Sequence, residues 1–96
     1  MNNDSQSQSR YITFLGLDCD ANADNLISML DKNIQTEKGD IKWQAYFTKK
    51  RTEQVQLKHD NLNFIGHQTN TLYEYFASCE DEEAKSLLYK IEQQCC

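Results

Sequence analysis

The chain has 96 residues and a net charge of −5, with 39% hydrophobic and 26% charged residues. That length holds one domain and no second core, and ten aromatic side chains exclude a wholly disordered polymer. The acidic total excludes general nucleic-acid binding, which needs phosphate-neutralising Lys and Arg, and no apolar run approaches the ~20 residues of a membrane helix.

Residues 1–9 are polar and low in complexity, and they read as a disordered tail ahead of a single domain over 10–96. The tail lacks the apolar stretch of a signal peptide, which points to a cytoplasmic protein with reduced thiols. "YITFLGL" (Tyr11–Leu17) is β-branched, aromatic and apolar, the pattern of a short buried strand. Ala23, Leu26, Ile27, Leu30 and Ile34 then fall on one helical face, with Asp20 or Asn22 as cap and Gly39 as stop.

Asp40 caps a second helix, on which Trp43 and Phe47 face inward beside Tyr46. Asp60 caps a third, with Leu62, Ile65, Thr69, Leu72, Tyr73 and Phe76 on its buried face; Gly66 within it suggests a close helix crossing. Ser78 opens the capping pattern of the last helix, and Ala84, Leu87, Leu88, Ile91 and Cys95 form its apolar stripe. The fold class is mainly α: four helices in a small bundle, preceded by one extended segment.

Charge is unevenly spread. Residues 1–36 carry net −3, residues 37–60 net +2, and residues 61–96 net −4. The basic run is Lys49, Lys50 and Arg51, which reads either as a solvated helix end or, with Trp43, as a partner-contact patch. Glu80, Asp81, Glu82 and Glu83 fill the start of the last helix, where the dipole favours acids, and they are a second candidate docking patch.

No constellation here specifies catalysis or a resident cofactor. Asp18, Asp20, Asn22 and Asp24 alternate like the first half of a calcium loop. The loop's sixth position needs Gly and has Ala23; its twelfth needs a bidentate Glu and has Met29. His59 and His67, eight residues apart, would lie about 12 Å apart on one helix, too far to share an ion. The four cysteines form no C-x-x-C pair, which excludes zinc ribbons and thioredoxin-like dithiols. Cys95 extends the apolar stripe of the last helix, and Cys96 points elsewhere. Both sit at the negative end of a helix dipole, which disfavours thiolate. Helix-end residues, partner contacts, and a thiol-based metal or redox carrier are the three readings of this terminal pair.

Two segments carry a family resemblance. "RYITFLGLDCDANA" (from Arg10) and "DEEAKSLLYKIEQQCC" (to Cys96), with Trp43 between them, resemble the CowN family of nitrogen-fixation-sustaining proteins. The matching positions are Arg10 to Cys19, Asn22, Ala23, Trp43, Asp81–Ala84, Leu87, Leu88, Cys95 and Cys96. The resemblance implies a non-enzymatic protein that sustains growth on dinitrogen when carbon monoxide is present, by protecting nitrogenase. It transfers no catalytic residue. Docking on the molybdenum-iron component of nitrogenase is the expected mode. The alternatives are a carrier using the C-terminal cysteine pair and an adaptor for an unrelated complex.

Overall fold

The computed structural model describes residues 18–95, and the extended segment expected at Tyr11–Leu17 lies outside them. Among the described residues there are five helices and no strand: α1 (Cys19–Gln35), α2 (Ile41–Leu57), α3 (Asn61–His67), α4 (Thr69–Ser78) and α5 (Glu82–Cys95).

The apolar periodicities place most of the core; they miss Phe64 and Tyr75, which are buried, while Ile34, Leu62, Thr69, Tyr73, Leu87 and Cys95 are only partly buried. Ala23, Leu26, Ile27 and Leu30 of α1 meet Phe47 of α2, Phe64 and Ile65 of α3, Leu72, Tyr75 and Phe76 of α4, and Ala84, Leu88 and Ile91 of α5. α1 packs against α5 and α3, and α5 against α4.

α1 and α5 run antiparallel and are tied at both ends. At one end Asn33 Nδ2 donates to Asp81 Oδ2 over 3.0 Å. At the other, Cys19 and Cys95 form a disulfide with Cα atoms 5.7 Å apart. Cys19 is the first residue of α1 and Cys95 the last of α5, so the bond closes the bundle across 76 positions of sequence. The expectation of reduced thiols therefore fails for Cys19 and Cys95. Each sits at the end of a helix whose apolar stripe faces the other helix, and that packing brings the two sulfurs together.

Three boundaries depart from the sequence reading. α1 starts earlier: Asp18, not Asp20 or Asn22, is the cap, accepting from the Ala21 N–H at 3.1 Å. Asp20, Asn22 and Asp24 are then helical residues rather than loop ligands. The third helix of the sequence reading is two. Gln68 leaves helical geometry at φ −118°, and its Oε1 accepts from Tyr46 Oη and Thr71 Oγ1, both at 2.8 Å. Thr69 Oγ1 donates back to the Ile65 carbonyl at 2.9 Å, and such local bonding by Thr bends helices. α5 is capped by Asp81, which accepts from the Ala84 N–H at 3.1 Å, whereas Ser78 is the last residue of α4.

The turns after α1, α2 and α4 are closed by Glu37, Lys58 and Glu80, each at φ between 57° and 59°. In each the next residue's N–H reaches back to a carbonyl five residues earlier: Lys38 to Asn33, His59 to Gln54, Asp81 to Phe76. Gly39, at φ 78°, does not end α1. It instead lets the α1–α2 loop press on α4: a Cβ there would lie 2.6 Å from Ser78 Oγ and 2.7 Å from Cys79 Sγ. Gly66 has nothing within 4 Å of where its Cβ would be, so it serves no helix crossing.

Candidate functional site

α2 is the helix least used by the core. Of its seventeen residues only Phe47 and Gln54 are buried. Phe47 anchors it through an aromatic cluster, with ring centroids 5.0 Å from Tyr46, 6.0 Å from Trp43 and 5.6 Å from Tyr75. Trp43 packs edge-on against Tyr46 at 5.4 Å and is half-buried. It therefore acts mainly as support for the helix.

The basic run divides along the same helix. Arg51 is held from within: its Nε and Nη2 meet the two carboxylate oxygens of Asp31 at 3.0 Å each, and it also donates to Gln54. Gln54 Nε2 continues the network to the His59 carbonyl at 3.0 Å and Asn61 Oδ1 at 2.8 Å, and Asn61 Nδ2 reaches Asp24 at 2.9 Å. This chain fixes α2 and α3 to α1. Lys50 pairs with Glu53 at 3.2 Å and lies over the Tyr46 ring, whereas Lys49 is exposed.

The outward side of α2 carries a stripe that the sequence reading did not single out. Ile41, Ala45, Thr48, Thr52 and Val55 recur at spacings of 4, 3, 4 and 3, and all five are exposed, Ile41 at 76% and Val55 at 72%. Lys42, Lys49 and Gln56 run beside it, also exposed. At 1.5 Å per residue the stripe is about 21 Å long, with the seven-residue repeat of helices that receive a partner helix. The spacing was visible in the sequence; that Trp43 and Phe47 would take the inner face, leaving this one uncovered among the described residues, was decided by the tertiary packing.

The acidic group is less coherent. Glu80 closes the α4–α5 turn, Asp81 caps α5 and bonds Asn33, and Glu82 approaches Lys85 at 3.5 Å. Glu80, Asp81 and Glu83 share a groove with Lys32, in the last turn of α1, and Lys38, in the α1–α2 loop. Those two ammonium groups offset the acids there. Cys79 lines the same groove, and burial pushes its thiol pKa up. At the other end of α5, Cys95 is bonded to Cys19, and Cys96 lies outside the described residues. The basic and acidic candidates thus sit on different elements, α2 and the α4–α5 turn.

The family profile described as "N2-fixation sustaining protein CowN" matches residues 3–96. The chain belongs to the CowN family. Relatives named N(2)-fixation sustaining protein CowN include one from Cereibacter sphaeroides, 48% identical over 91 residues, covering 95% of this chain and 97% of that protein. One from Rhodobacter capsulatus is 46% identical over 90 residues, covering 94% and 96%. A more distant CowN from Dechloromonas aromatica is 36% identical over 87 residues, covering 91% and 89%. No solved structure matches the chain.

Proposed function

We propose that this CowN-family chain sustains nitrogen fixation in the presence of carbon monoxide by docking on the molybdenum-iron component of nitrogenase in the cytoplasm. It works as a binding protein, not an enzyme. The observation that carries the reading is the uncovered α2 stripe, braced from behind by the Phe47 cluster and the Arg51–Asp31 pair. A rigid helix with an exposed stripe of Ile, Ala, Val and two Thr and flanking Lys42 and Lys49 fits an acidic-edged helical surface on a partner. The bound protein either restricts gas access to the metal cluster or favours an enzyme state with weaker carbon monoxide affinity. A carrier built on Cys95 and Cys96 together would first need the Cys19–Cys95 bond reduced.

The test is the carbon monoxide inhibition curve of purified nitrogenase with and without the protein. Protection is expected from the natural chain, and its loss from an Ile41→Asp/Val55→Asp variant with unchanged helicity. An inhibition curve that does not move sinks direct protection. Protection retained by the variant moves the docking face elsewhere.

A further inference from the structure

The two histidines are not on one helix, and this reverses the expectation that they lie too far apart. His59 sits in the α2–α3 turn, two residues before α3 begins, and His67 is the last residue of α3. The chain doubles back, and the imidazole centroids lie 6.2 Å apart. With a metal–nitrogen bond of about 2.0–2.1 Å, two imidazoles on one ion have centroids roughly 5–6.5 Å apart across bond angles from tetrahedral to linear.

The turn holding His59 is pinned on both sides by one residue. The His59 N–H donates to the Gln54 carbonyl at 3.1 Å, and its own carbonyl accepts from Gln54 Nε2 at 3.0 Å. Gln54 is one of only two buried polar residues among those described, so interior space is used to fix this turn. The rings face an open groove of about 200 Å³ shared with Lys50, Glu53 and Gln68. Both imidazoles are solvent-exposed. Lys50 opposes a cation in the groove, and its pairing with Glu53 at 3.2 Å offsets that charge.

We propose that His59 and His67 form a two-imidazole site for a borderline divalent transition-metal ion of the Ni²⁺, Cu²⁺ or Zn²⁺ class. Neutral imidazole is the ligand these ions prefer over carboxylate alone. Among the described residues no three His, Cys, Asp or Glu side chains converge on one point. The protein therefore supplies two donors, and the remaining positions stay open to water or to a side chain from a docked partner. The site is separate from the α2 stripe and does not depend on its role.

Ni²⁺ is the probe, because it binds imidazole well without oxidising thiols. Calorimetric titration of the full, disulfide-intact chain is expected to show one ion per chain. His59→Gln and His67→Gln should each weaken binding at least tenfold, while Cys79→Ser leaves it unchanged. Proton NMR should show paramagnetic loss of both histidine ring signals at equal ion concentration. No binding by the natural chain overturns the proposal. So does binding that survives in both histidine variants, which would assign the ion to thiols.

Discussion

Substituting Cys19 by Ser removes the bond that joins the start of α1 to the end of α5. In the chain-entropy account, closing a loop across 76 positions removes about 15 cal/mol/K from the unfolded ensemble, or about 4.5 kcal/mol at 25 °C. Domains of this size have total stabilities of about 5–14 kcal/mol. The bond thus carries a third or more of the whole. Part of the loss is moderated, since α1 and α5 keep their apolar contact and the Asn33–Asp81 bond at the far end. Taking about 3–4.5 kcal/mol as the net effect, and about 4–8 °C per kcal/mol for a domain this small, Tm should fall by roughly 12–36 °C. The assay is thermal unfolding followed by helical circular dichroism, with and without dithiothreitol. Reductant should lower the natural chain to the level of the variant and leave the variant where it is. A Tm that differs by only a few degrees between natural chain and variant, with reductant inert on both, would refute the cross-link's role. The outcome also bears on the compartment: in a reducing cytoplasm the working form would be the less stable one without the bond.

Two glycines should respond with opposite signs. Gly39→Ala should destabilise by about 2–4 kcal/mol, from the left-handed backbone and from contact with Ser78 and Cys79, read as a lower urea midpoint. Gly66→Ala meets nothing and should stabilise by about 0.5–1 kcal/mol; a lower midpoint there would mean the space is used. At high pH, Tyr73 should contribute to a loss of stability, alongside buried Tyr75, whose phenol is also pushed up by burial. Burial first, and then the 2.8 Å bond to Glu92, push the Tyr73 pKa up to about 12 from 10 in the unfolded chain. The neutral phenol is favoured by folding, so this contribution is complete below pH 10 and is lost as pH rises from 10 towards 12. Tyr73→Phe should flatten that decline; an unchanged alkaline profile would remove Tyr73 as its cause.

What was legible in this sequence was local. Leu26, Leu30, Ile65, Leu72, Phe76, Leu88 and Ile91 all take the buried places that helical spacing assigns, because a helix face depends only on residues a few positions apart. The caps at Asp40 and Asp60 follow for the same reason. The turn rule was less secure. Gly39 looked like the stop of α1, but Glu37 takes the left-handed position, and the glycine answers a contact from α4 that lies 39 residues further on. The break between α3 and α4 rests partly on Tyr46 reaching Gln68 from another helix, which no window over residues 60–76 contains. The disulfide and the histidine pair lie at the end of this scale. Both depend on two chain positions brought together by packing, and both were argued down: the cysteines from the absence of a signal-peptide pattern, the histidines from the rise of one helix. The histidine argument was sound for an isolated helix and failed once the chain turned at Lys58; the cysteine expectation failed once α5 lay along α1 and brought Cys95 to Cys19. The α2 stripe marks the limit of periodicity itself. Spacing finds two faces on that helix, Trp43 with Phe47 and Ile41 with Val55, and only the aromatic cluster decides which one is left exposed among the described residues.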